Sequence, residues 1–226
     1  MTRKNSARIA GVAYLAYLIA GIAAMVLYGQ ATGGADVAAK LASVAQHATQ
    51  LRATLIFNLI ASFCALTLGV TLYGLTREVS NELAVMGMAF RLVESVNAAI
   101  GLQSTAGVLK LATATGDASL DPATTNMLGA FLLRPGTPIS ATYFAVGNLI
   151  FCWLLLRGRM SPTSLALLGL VSSLLLVVVL PLQAVGLIGP PFTSFFVMWL
   201  PMLVFELAFA ALLLADRVMV RAPSLR

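Results

Sequence analysis

Charge is what this chain has least of. Only 10% of its 226 residues are charged, against about 25% in an ordinary soluble domain. Histidine occurs once, at His47. A single histidine placed in a loop excludes a membrane haem held by two histidines, and the usual zinc ligand set is missing. Cysteine occurs twice, at Cys64 and Cys152, each inside an apolar block and neither in a CxxC pair. That excludes a disulfide framework and leaves two small buried hydrophobes. The sequence holds no Walker loop, no dinucleotide-binding glycine fingerprint in its proper context and no GxSxG nucleophile motif. No cofactor is implied, and paired-carboxylate catalysis is left without supporting signal.

What is abundant is apolar: 60% of the residues are hydrophobic, and they fall in long blocks separated by short polar stretches. A spanning helix needs roughly 20 mostly apolar residues. Six blocks answer to that: Ile9–Tyr28, Leu51–Leu75, Leu83–Ala112, Ile139–Leu156, Ser164–Ile188 and Phe192–Ala215. The expectation is an all-α, polytopic bundle of about six transmembrane helices, forming one transmembrane domain over residues 1–226. The basic opening Arg3, Lys4 and Arg8 is like the start of a secretory signal. The apolar stretch behind it exceeds the roughly 7–15 residues of a signal core, so a retained helix is expected.

Two shorter segments have another character. Val37, Leu41, Val44, Ala48 and Leu51 recur at helical spacing, while Lys40, Ser43, His47 and Gln50 line a second face. Asp121-Pro122 is a cap followed by a first-turn proline, and it opens a segment running to Leu133. Both are expected as short amphipathic helices at the membrane surface. Proline at 181 and 201 should interrupt the fifth and sixth spans, the latter five residues before Glu206.

The net charge of +6 does not point to nucleic acid, because Lys and Arg sit at block ends instead of forming a stripe interleaved with aromatics. Six spans put both ends of the chain on one side. That side carries nine basic residues and the other four: Lys40, Arg52, Lys110 and Arg134. Retention of positive charge inside then predicts a multi-pass protein of the cytoplasmic (inner) membrane with N- and C-termini in the cytoplasm. The amphipathic helices fall in the outer loops. Membrane lipids are the implied partners, and the number of copies in an assembly is left open. Three spans followed by three permit an inverted repeat, yet the two halves do not match.

Three charges lie inside spans: Arg91 and Glu94 in the third, Glu206 in the sixth. Each costs about 2.5–3.5 kcal/mol at a helix centre even on a lenient insertion scale, so such residues face the bundle interior and take partners. Counted from Ala84 and Ala215 at 1.5 Å per residue, they lie roughly 10, 15 and 13 Å deep. Tyr17, Asn148, Ser172 and Ser173 reach a similar depth. On the third helix, Ser95 and Thr105 share the arc of Arg91 and Glu94, while Asn97 lies about 60° beyond it. A buried polar layer of Arg91, Glu94, Glu206, Asn97, Asn148 and Tyr17 is expected. The plain structural reading is an Arg–Glu clamp between the third and sixth spans.

The opening Ala7-Arg8-Ile9-Ala10-Gly11-Val12-Ala13-Tyr14-Leu15, the segment Phe90-Arg91-Leu92-Val93-Glu94 and the ending Glu206-Leu207-Ala208-Phe209-Ala210 resemble the bacterial membrane family catalogued as Domain of Unknown Function 4386. The resemblance covers nearly the whole chain in order and spacing. It implies a six-helix bacterial membrane protein without an assigned activity. Members often carry a histidine–aromatic pair entering the fourth helix, whereas Thr137-Pro138-Ile139-Ser140-Ala141-Thr142-Tyr143 holds no histidine. The leading reading is a non-enzymatic, transporter-like or ligand-binding membrane protein, taking a small-molecule or lipid-like ligand at the polar layer. The rivals are a membrane-embedded enzyme acting on a lipid or quinone, and an accessory subunit whose charges only brace the bundle.

Overall fold

The computed structural model describes residues 3–114, 120–134, 138–189 and 195–215. Its elements are all helical: α1 (Arg3–Ala31), α2 (Val37–Gln46), α3 (Ala48–Thr76), α4 (Asn81–Ala112), α5 (Pro122–Leu132), α6 (Ile139–Arg157), α7 (Thr163–Ala184), a π-helical turn Phe195–Trp199 and α8 (Leu200–Leu214). Six helices are long and apolar enough to cross a membrane: α1, α3, α4, α6, α7 and the stretch Val197–Leu214. The protein is a multi-pass, all-α membrane protein.

The helices outrun several of the apolar blocks. Helix α1 begins at Arg3 and runs to Ala31, past the block Ile9–Tyr28 at both ends. Backbone hydrogen bonding continues where hydropathy stops, because interfacial water tolerates polar side chains but leaves helical bonds intact. The first amphipathic run is cut short. Helix α2 ends at Gln46 with His47 as its C-cap, and α3 starts at Ala48. His47 draws its backbone N–H and ring Nδ1 to Ser43 O, both at 2.9 Å, while its own carbonyl receives the N–H groups of Gln50 and Leu51. The periodicity seen through Leu51 therefore belongs to two helices. Helix α5 follows its signal closely: Asp121 Oδ1 accepts from the N–H groups of Ala123 and Thr124 at 3.0 Å, and Pro122 occupies the first turn. Hydrogen bonds from Thr124 hold the Asp121 carboxyl below the usual carboxylate range.

The fifth span stops at Ala184, short of Ile188, three residues after Pro181. Gly186 takes φ +74° there, and Leu187 N–H bonds Leu182 O at 2.9 Å, closing the helix in the left-handed cap that glycine permits. The beginning of the sixth block, Phe192–Ser194, lies outside the described residues. The described part opens with the π-helical turn, and Pro201 falls in the first turn of α8, where a missing N–H is tolerated. The expected interruption thus takes the form of a change of helical register ahead of Pro201.

The chain divides into two compact units. The first comprises Met1–Ala16, Phe63–Asn97 and Thr137–Arg226, with α6 packed along α7 and α7 along α8. Water does not drive such helices together in lipid, so close approach falls to small residues. Gly11 sits where a Cβ would meet Leu214 Cγ at 2.7 Å, and Gly169 where one would meet the Phe205 ring at 2.5 Å and Cys152 Sγ at 2.6 Å. The second unit comprises Tyr17–Ser62 and Ala98–Gly136. Its core is Ala31, Leu41, Val44, Leu51 and Val108, with Val37 and Leu132 packed against it. Helix α2 lies on α5 across Gly129.

Candidate functional site

Among its described residues the first unit holds three charged side chains with almost no contact with solvent: Arg91 at 1% exposure, Glu94 and Glu206 at 3%. Helix α4 places the first two three residues apart on one face. Arg91 Nη1 stands 2.8 Å from Glu94 Oε2. The Arg91 guanidinium also lies over the Phe144 ring of α6, 5.1 Å from its centroid, in cation–π geometry. Two glycines make room for the arginine stem. A Cβ on Gly69 of α3 would come to 3.1 Å from Arg91 Cβ, and one on Gly147 of α6 to 3.4 Å from Arg91 Cδ. Ser140 of α6 donates to Glu94 O at 2.9 Å, tying α6 to the backbone beside the acid.

Helix α8 supplies the third charge. Glu206 lies within the electrostatic field of Arg91 and Glu94, yet among the described residues no donor reaches its Oε1. On the same helix Phe205 and Phe209 stack at 5.5 Å, with Tyr14 of α1 edge-on to Phe209 at 5.8 Å. Tyr14 Oη donates to Asn148 Oδ1 at 3.4 Å, and Asn148 Nδ2 donates to Met202 Sδ at 3.1 Å. A polar chain therefore passes from α1 through α6 to α8. Tyr14 and Cys152 lie in the field of Glu206, and Ser173 of α7 stands beside the Cys152 thiol.

Of the six residues expected in the layer, Arg91, Glu94, Asn148 and Glu206 are buried in this unit. Asn97 is only half-buried and turns back on its own helix, donating to Val93 O at 2.9 Å. The 60° offset from the Arg91–Glu94 arc is the reason. Tyr17 is half-buried and belongs to the second unit. The tyrosine that reaches Asn148 is Tyr14, 1% exposed, which depth counting passed over. Its signal was its place in the opening motif Ala7–Leu15. Ser172, Ser173 and Ser95 are buried as well. The 2.8 Å ion pair of the layer lies within α4, between Arg91 and Glu94. Among the described residues no group of three or more His, Cys, Asp or Glu is placed to hold a metal ion.

A family described as "Domain of unknown function (DUF4386)" matches residues 9–216 of the chain. No curated protein and no solved structure matches it.

Proposed function

The chain belongs to the DUF4386 family, a membership that assigns no activity, and from the chemistry of its own residues we propose that it is a small transporter-like, ligand-binding membrane protein working through the layer of Arg91, Glu94 and Glu206. One observation carries the reading: a carboxylate 97% removed from solvent, Glu206, has an oxygen that no donor meets. Buried polar groups are almost always hydrogen-bonded, and an exception calls for a reason. A brace would aim both acids at the arginine. Here the 2.8 Å ion pair of Arg91 is with Glu94, three residues along the same helix, while Glu206 offers an oxygen without a donor. In this reading Arg91 is the fixed countercharge, Glu94 positions it, and Glu206 is the working group. The layer lies in the inner half of a cytoplasmic membrane, with both termini in the cytoplasm.

Charge removal tests this. Arg91→Leu alone strands a carboxylate and should cost about 3–5 kcal/mol, seen as a lower thermal midpoint of the detergent-purified protein. The variant without any of the three charges, Arg91→Leu with Glu94→Gln and Glu206→Leu, should regain much of that stability. It should still fail to complement a deletion of the gene. A stable triple variant that complements fully would reduce the charges to a dispensable brace and end the proposal. If the triple variant does not fold, the milder Glu206→Gln decides in its place, expected to be stable and inactive.

A further inference from the structure

Resting on that reading, we propose that the ligand exchanged at Glu206 is a proton, so that the layer is a proton-binding site inside the membrane. Charge counting within the layer gives the first argument. The Arg91–Glu94 pair at 2.8 Å is neutral as a whole. An ionised Glu206 then leaves one uncompensated negative charge, and a single proton removes it. Second, the group is open to reaction at one atom, because no described donor reaches Oε1.

The surroundings select the proton over other cations. Calcium and magnesium want about six or more oxygen ligands. One turn to either side of Glu206 on its own helix lie Phe209, no more than 1% exposed, and Met202, whose sulfur already receives Asn148 Nδ2. Asn148 Oδ1 is occupied by the Tyr14 hydroxyl. This is poor ground for a hard cation. A proton needs no coordination shell and no room.

The chemistry is one O–H bond. Glu206 Oε1 takes a proton from a hydronium ion that becomes water, and returns it to water on release. No other bond changes. The titratable and charged groups facing Glu206 are Arg91 and Glu94 from α4, Tyr14 from α1 and Cys152 from α6. On α7 the hydroxyls of Ser172 and Ser173 are buried and neutral, Ser173 beside Cys152.

Infrared difference spectroscopy on the full-length protein in detergent tests the proposal, comparing acid with alkaline buffer in light and heavy water. The wild type should show a protonated-carboxyl C=O band that disappears with rising pH. Glu206→Gln should lose it, and in Glu94→Gln, where Arg91 is left to offset Glu206, it should disappear at a lower pH than in the wild type. A band that survives Glu206→Gln, or a wild type without one at any pH, overturns the proposal. Should Glu206→Gln not fold, Glu206→Asp replaces it, and the band must then shift in frequency. An unmoved band counts against Glu206. At fixed pH the band should be the same in sodium, potassium and choline buffers. Its suppression by sodium alone would make this a metal-cation site and sink the proton. The wider reading fails separately. If Glu206 does not titrate while the charge-free triple variant still fails to complement, ligand binding stands and only its protonic form falls.

Discussion

A single residue with positive φ separates two otherwise matching helix ends. Helix α7 closes with Gly186 N–H on Gln183 O and Leu187 N–H on Leu182 O. Helix α6 closes the same way, with Arg159 N–H on Leu156 O and Met160 N–H on Leu155 O. The left-handed position is Gly186 in one and Arg159, at φ 50°, in the other. Glycine does stand next door at Gly158, where a Cβ would meet Val79 Cγ2 at 2.7 Å, so it is held there by close approach. A side chain in the left-handed region costs roughly 1–2 kcal/mol, partly offset by the extra freedom glycine has when unfolded. Arg159→Gly should therefore stabilise the protein by about 0.5–1 kcal/mol, read as a higher thermal midpoint. Gly186→Arg should do the reverse by a similar amount. A fall in midpoint for Arg159→Gly would show that the guanidinium holds this turn by contacts worth more than the strain. At this same scale the polar layer was partly legible. Arg91, Glu94 and Glu206 stand out because ionised side chains are so rare within spans. Choosing Tyr14 over Tyr17 was not legible. They lie three residues apart on one face of α1, so helical periodicity alone does not separate them.

Between elements, the tightest contact beside the layer is that of α7 with α8. A Cβ on Gly169 would come to 2.5 Å from the Phe205 ring and 2.6 Å from Cys152 Sγ. All three residues are buried and Phe205 is stacked on Phe209, so the ring has nowhere to withdraw. Overpacking of this sort typically costs 1–3 kcal/mol. Gly169→Ala should lower the thermal midpoint accordingly, and Phe205→Leu added to it should restore part of the loss. Equal midpoints for Gly169→Ala and wild type would mean that α7 and α8 slide apart freely. The helices themselves could be read from the sequence, because long apolar runs have one solution in lipid. Their ends could not. The stop of α2 depends on His47 folding back onto Ser43, and the entry to α8 on a π-helical turn that no periodicity announces. Both are local hydrogen-bond choices among nearly equivalent backbone conformations, decided by packing.

For the whole molecule, the remaining question is which way the six spans point. The described helices give the ends of the spans, and the orientation expected from the sequence rests on the cost of carrying Lys and Arg across the bilayer. Arg3, Lys4 and Arg8 lie in the first turns of α1, Arg77 follows α3, Arg157 and Arg159 close α6, and Arg217, Arg221 and Arg226 follow α8. The six-span reading assigns Lys40, Arg52, Lys110 and Arg134 to the opposite side. One contact adds weight to the first set. Arg3 Nη1 reaches Glu78 Oε2 at 2.8 Å and Arg3 Nη2 reaches Leu75 O at 3.3 Å, which places the start of α1 beside the α3–α4 turn. Acidic residues count little in this rule, so Glu78 does not cancel the basic excess. A reporter active only outside the cytoplasm should be silent when fused after Arg226 and active when inserted between Thr113 and Pro122. Moving charge should move topology: replacing Arg3, Lys4 and Arg8 with neutral residues while adding lysines between Thr113 and Pro122 should produce a mixed population by the same reporter. Activity after Arg226 in the unaltered chain would invert the orientation and place Glu206 nearer the outer face, so a proton reaching it would arrive from outside the cell.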